Sequence, residues 1–326
     1  MQYYYGNYED YSKVIYKKSL KKDSNRLGIL LILFHAFMFG FSFISSIFLV
    51  FGLPYDSQSS VQTFLLDGLL SLLVFFITGL VYIFIVNLDT KVIFPFEKIK
   101  TSLLVKIVII GVAVALVSNY AADMLSSVFS VFGIDNTIDF SYDVDSPLSI
   151  LLYFVTVALV PALVEEFAFR GIILGTLRKY SDTLAIVISA GVFGLMHGNF
   201  VQIPFAFCVG LVLGFVVVKT NSLLPSILIH FFNNALSVFF DILYTNKVLQ
   251  ENVINYLECF VTALIAILAI IFFVKLIRKN KEIFTIEKKD EIMPFKETVK
   301  TVCSSPCMIV FACLSVLEAL LVLVAL

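Results

Sequence analysis

Charge is what this sequence has least of: only 14% of its 326 residues are Asp, Glu, Lys or Arg, against roughly 25% in an ordinary soluble domain. With 60% hydrophobic residues and a mean hydropathy of +0.99, a soluble globule is excluded. The alternation of apolar and polar residues that marks a membrane β-barrel is missing as well, which leaves an all-α, polytopic transmembrane helical bundle. A net charge of −1 offers no nucleic-acid surface. Five cysteines, Cys208, Cys259, Cys303, Cys307 and Cys313, lie in or beside apolar stretches without the CxxC spacing of a zinc site or a disulfide framework. The chain has no HExxH zincin motif, no GxSxG nucleophile elbow and no Walker A loop, so those routes to hydrolysis or ATP-driven transport have no anchor. Residues 1–26 are polar and tyrosine-rich without an early apolar core, unlike a cleavable signal peptide.

What is present is a series of apolar runs, each near the roughly 20 residues needed to cross a bilayer. Nine are expected: 27–53, 61–86, 103–122, 148–177, 183–199, 201–218, 223–240, 252–275 and 307–326. With the amino terminus inside, 22 of the 23 basic residues fall on or near one side, Lys247 alone falling outside. Asp135, Asp139, Asp143 and Asp145 crowd the opposite loop 133–147. The positive-inside rule then makes the amino terminus cytoplasmic and the carboxyl terminus external. Four parts follow: a cytoplasmic segment 1–26, accessory helices 27–147, a core 148–240, and carboxyl-terminal helices 241–326 with a basic cytoplasmic loop.

A charge near the bilayer centre costs about 2.5–3.5 kcal/mol on insertion scales, so charges inside spans are candidate functional groups. The fourth span holds three of them in PALVEEFAFRGIILGTLR, residues 161–178: Glu165, Glu166 and Arg170. At about 1.5 Å per residue, Glu165 lies roughly 20 Å from the basic end. Two of only three histidines reach overlapping depths, His197 in FGLMHGN and His230 in HFFNNAL, and Asn234 shares a helix face with His230. At 100° per residue, Glu166 and Arg170 stand about 40° apart in the favourable order for an ion pair. Glu165 points elsewhere, which leaves it to meet His197 and a water as a general base. His35 has no polar neighbour on its own helix, and Asp67, Glu258 and Glu318 are isolated acids; all four read as packing or water-facing groups.

Intramembrane acids and histidines also occur in ion-coupled transporters and in binding proteins, and these stand as the alternatives to an enzyme. A transporter is expected to show inverted repeats with broken helices in both halves, whereas here the polar cluster lies in one half only.

The residues Glu165-Glu166-Phe-Ala-Phe-Arg170, Phe193-Gly-Leu-Met-His197 and His230-Phe-Phe-Asn-Asn234 resemble, in order, the EExxxR, FxxxH and HxxxN motifs of the CPBP (Abi) intramembrane proteases. That family includes type II CAAX prenyl endopeptidases and bacteriocin-processing or immunity proteins. The resemblance covers about residues 148–240. It implies hydrolysis of a peptide bond by a water polarised by Glu165 and His197, with His230 and Asn234 stabilising the oxyanion. It also leaves room for a divalent metal, zinc above all, held by Glu165, His197 and His230. The implied partners are the lipid bilayer and a peptide or membrane-protein substrate, and the composition points to a bacterial plasma membrane.

Overall fold

A computed structural model describes residues 2–50, 60–131, 144, 146–286 and 292–325, with side chains undescribed at 2–10, 41–50, 123, 324 and 325. The expected acidic loop 133–147 and the end of the first span therefore lie largely outside the described residues. Described residues form helices, with one isolated bridge between Phe96 and Ser222 as the extended pairing among them. The protein is an all-α polytopic bundle.

The helices are α1 (Gln2–Val50), α2 (Ser60–Val86), α3 (Thr101–Val131), α4 (Pro147–Arg178), α5 (Asp182–Leu195), α6 (Gln202–Thr220), α7 (Leu224–Thr245), α8 (Glu251–Lys279), α9 (Phe295–Cys303) and α10 (Pro306–Ala325). Among the described residues, seven are long and apolar enough to cross a membrane: α2, α3, α4, α6, α7, α8 and α10. The apolar run of α1 continues a 49-residue helix from its polar first turns.

Within the expected span 183–199 the helix is shorter than the apolar run. It is a 14-residue helix, α5, about 21 Å long at the α-helical rise and short of a hydrocarbon core of about 30 Å. Its limits are local: the Ser181 hydroxyl accepts from the amide of Leu184 at the start, and Gly198, at φ +57°, turns the chain away after His197. Asn199 then accepts from the amides of Val201 and Gln202 with its side chain, opening α6.

Two elements at the centre depart from plain α-geometry. Within α4, residues Phe154–Leu159 and Glu166–Leu174 are π-helical, a form concentrated at functional sites. Pro161 gives one reason, since it has no N–H to offer the carbonyl of Val157 one turn back. Around α4 pack α2, α5, α7 and the inner face of α1, sharing a core that includes Leu30, Phe34, Phe75, Phe169, Ile172 and Phe193. Small residues let backbones approach where they cross: a Cβ on Gly210 of α6 would come within 3.0 Å of Ala190 Cα on α5. The outward face of α8 exposes Phe260, Ile267 and Ile270, as a lipid-facing helix should.

The basic residues converge at one end. Asp23 of α1 receives the Tyr180 hydroxyl at 2.7 Å and the Lys179 ammonium at 2.6 Å. Arg178 reaches Asn221 at 2.9 Å, and the Lys219 ammonium donates to the carbonyl of Thr285 at 2.9 Å. Amino-terminal helix, core and carboxyl-terminal segment are thereby tied at the same end of the bundle.

Candidate functional site

Glu166 and Arg170 sit one turn apart on α4, both fully buried, and Arg170 Nη1 lies 2.8 Å from Glu166 Oε1. The ion pair expected from their spacing is formed. The guanidinium also lies within 3.4 Å of the Gly210 carbonyl, and its Cζ stands 4.2 Å above the ring of Phe193. A buried cation is tolerable only when its charge is met on several sides; here a carboxylate, a carbonyl and an aromatic face meet it.

Phe193 does more than cover Arg170. Its ring meets the edge of His197 at 4.9 Å and of His230 at 5.9 Å between centroids, with Phe169 behind it at 5.1 Å. One buried ring thus spaces the arginine and both histidines. The His197 ring is fixed further by Nδ1, 2.9 Å from the Phe193 carbonyl. A carbonyl only accepts, so Nδ1 carries the proton and Nε2 is left with the lone pair.

The second glutamate departs from expectation. Glu165, about one-fifth exposed, does not pair with His197; its partner is His230, with Oε2 3.9 Å from Nε2. His230 in turn places Nδ1 3.0 Å from Oε1 of Glu166. Glu166 therefore holds Arg170 and His230 together, a cross-helix contact that spacing along one helix could not show. The reason His197 stands apart is the turn that ends α5, which directs its ring onto Phe193.

Asn234 is also engaged. Its amide donates to the Val157 carbonyl at 3.0 Å and its oxygen accepts from Asn233 at 3.1 Å, with Asn119 of α3 3.5 Å from Asn233. Asn234 thus supplies a donor to the carbonyl that Pro161 cannot reach. That use takes one of its two N–H groups and ties α7 to α4. Asn119 and Asn233 were not singled out from sequence. Asn233 directly precedes Asn234 in the sequence, which is the signal that could have found it.

The three residues expected to hold a metal are not gathered as a ligand set. Among the described residues no three His, Cys, Asp or Glu side chains are grouped to hold a metal ion; Nδ1 of each histidine faces an acceptor, which leaves Nε2 as the atom that would ligate.

Beside the site, His35 pairs with Glu318 of α10 at 3.2 Å and meets the Ser315 hydroxyl at 3.3 Å. Both read as packing groups from sequence, and they pack on each other. The Glu318 carboxyl also fills the space beside Gly198, where a Cβ would lie 2.6 Å from its Cδ.

Comparison with known proteins places this geometry. Residues 147–236 match the family described as type II CAAX prenyl endopeptidase Rce1-like. That stretch is similar to the Rce1-like family. It carries Glu165, Glu166, Arg170, Phe193, His197, His230 and Asn234 together. A membrane-embedded CAAX protease, MroQ of Staphylococcus aureus (strain USA300), is 31% identical over 103 residues. The match spans 29% of this chain and 41% of the length of that relative. No solved structure matches the chain. The Rce1-like match and the apolar helices around it support an integral membrane protein.

Proposed function

We propose that this protein is an intramembrane endopeptidase that hydrolyses a peptide bond of a peptide or membrane-associated substrate with a water activated by Glu165. The observation that carries the reading is the gap of 3.9 Å between Glu165 Oε2 and His230 Nε2. It is too long for a direct hydrogen bond and suits a water bonded to both.

Glu165 is the more exposed of the two acids, while Glu166 is spent on Arg170 and His230. In the proposed reaction Glu165 takes a proton from the water as its oxygen attacks the carbonyl carbon, and the π pair of the C=O bond moves onto oxygen. The proton passes to the amide nitrogen as the C–N bond breaks, giving a carboxyl end and an amine. His230, held by Glu166 through Nδ1, donates from Nε2 to the oxyanion in its protonated form. The second N–H of Asn234 is available for the same charge. His197 presents its Nε2 lone pair to a substrate N–H or to the water.

The basic end of the bundle is proposed to face the cytoplasm of a bacterial cell, so the substrate enters from that side or laterally from the bilayer. Processing of a leader or signalling peptide, self-immunity, and cleavage of a CAAX-type end are the roles open to such an enzyme. A zinc-assisted variant requires Glu165 and both imidazoles to rearrange around the ion. Cleavage of a peptide library by the purified protein tests the reading: products with the parent and none with Glu165→Ala support it, and no cleavage by the folded parent favours a binding or transport role instead.

A further inference from the structure

At the basic end of α4 a cavity of about 550 Å³ opens between three stretches of chain: the segment after α2, the last turn of α4, and the turn from α6 to α7. Lys91, Arg178 and Lys179 line it, with Asp89 as the one acid. Asp89 is already used, since its Oδ1 caps the short helix Thr90–Ile93 by accepting from the amide of Lys91 at 2.9 Å. Arg178 is braced by Asp182 and Asn221, and Lys179 by Asp23. Lys91 has no ion-pair partner among the described residues.

The floor of the cavity holds a second, independent signal. Thr176 is only 7% exposed, and its hydroxyl has no hydrogen-bond partner among the described residues. A helical threonine ordinarily returns its hydroxyl to the carbonyl one turn back, as Thr220 does to Val216 at 2.6 Å and Thr301 to Glu297 at 2.8 Å. Thr176 follows the π-helical turn, where Ile172, four residues back, already accepts from the amide of Gly175. A buried hydroxyl without a partner is costly, and here it lines a space ringed by cationic donors.

The flank of the cavity is apolar. Val92, on its rim, is half exposed, and Phe84 and Ile85, in the last turn of α2 before it, are 87% and 74% exposed. Donors at the interface beside an exposed apolar wall match an amphiphile with an anionic head and acyl tails. Basic pockets between membrane helices on the cytoplasmic side suit anionic lipid head groups.

We propose that this cavity binds the phosphate of an anionic phospholipid head group, with Lys91, Thr176 and Arg178 as its donors and the acyl chains lying on Phe84, Ile85 and Val92. The site joins the end of the helix bearing Glu165 and Glu166 to the turn that opens the helix bearing His230. The backbone already ties the segment after α2 to that turn: the Leu223 amide donates to the Pro95 carbonyl at 2.8 Å, and that of Glu97 to the Asn221 carbonyl at 3.2 Å. A bound head group adds to the contact of Arg178 with Asn221, which joins the end of α4 to the same turn.

The test is a thermal-unfolding titration of the purified full chain in detergent with three probes: short-chain phosphatidylglycerol, short-chain phosphatidylcholine and inorganic phosphate. Saturable stabilisation by phosphatidylglycerol, with little by the other two, is expected. Thr176→Val removes an unpaired hydroxyl at constant shape, so the unliganded protein keeps or gains stability while phosphatidylglycerol binds about tenfold more weakly, the loss of roughly one hydrogen bond to a charged group. Lys91→Gln weakens it similarly, whereas Lys296→Gln, on α9 and away from the cavity, leaves it unchanged. Equal stabilisation by both lipids, or unaltered titrations for Thr176→Val and Lys91→Gln, overturns the proposal. A full effect of inorganic phosphate alone makes the ligand a soluble anion and overturns the lipid assignment.

Discussion

His230 and Glu166, on different helices and 64 residues apart, are joined by a 3.0 Å contact from Nδ1 to the same carboxylate oxygen that Arg170 reaches at 2.8 Å. One buried acid therefore orients a histidine and neutralises an arginine. In the proposed reaction this makes Glu166 a positioning residue and leaves its neighbour Glu165 for the chemistry.

The division of labour has a measurable consequence for stability. Glu166→Gln leaves the Arg170 charge unpaired in the interior, and breaking a buried pair by removing one partner costs about 3–5 kcal/mol. Yield and thermal stability are expected to fall together. Glu166→Gln with Arg170→Met removes both charges and is expected to recover yield without recovering activity, because His230 remains unanchored. Equal stability of the single and double variants would contradict the pairing.

Phe193 provides the aromatic face beneath Arg170 and the edge contacts to both imidazoles. Phe193→Leu is expected to cost about 1–2 kcal/mol through the lost cation–π contact, and to slow turnover more than Phe169→Leu does. Phe169 is an equally buried ring that packs on Phe193. Thermal unfolding and turnover of the two variants check this; indistinguishable activities would count against Phe193 as the spacer of the site.

Asn234 and Pro161 form a pair in the energetic sense. Asn234→Leu leaves the Val157 carbonyl without its side-chain donor, a loss of about 1–3 kcal/mol. Pro161→Ala restores an N–H within the helix, so the same Asn234→Leu change is expected to cost less in that background. A double-mutant cycle by thermal unfolding reads the difference, and strict additivity would sink the link.

For the metal, the absence of a group of three His, Cys, Asp or Glu side chains among the described residues leads to the expectation that purified protein carries zinc well below one ion per chain and keeps its peptidase activity after chelation. Elemental analysis alongside activity decides it. Stoichiometric zinc with chelator-sensitive cleavage would establish a site that forms by rearrangement of Glu165, His197 and His230.

Much of this arrangement was legible because it is local. Glu166 and Arg170 are four apart on one helix, and residue spacing alone places them in contact. Their depth and that of the two histidines follow from helical rise. The histidine contacts were not legible, since whether His197 or His230 meets Glu165 depends on how α5, α6 and α7 cross α4. The turn at Gly198 and Asn199 falls where the expected runs 183–199 and 201–218 meet, so its place was legible, and the contact of His197 with Phe193 follows from their i,i+4 spacing. His35 looked partnerless because Glu318 lies 283 positions away in sequence yet 3.2 Å away in space.

The most direct test of the account is the rate of peptide hydrolysis by Glu165→Gln relative to the parent, measured at equal amounts of folded protein. The substitution keeps the shape of the side chain and removes the proton acceptor. Yield and unfolding temperature near those of the parent, with turnover reduced at least about a hundredfold, are the predicted result. A Glu165→Gln protein that cleaves at the parent rate would show that the water is activated by another group and that the roles assigned to the two glutamates are wrong.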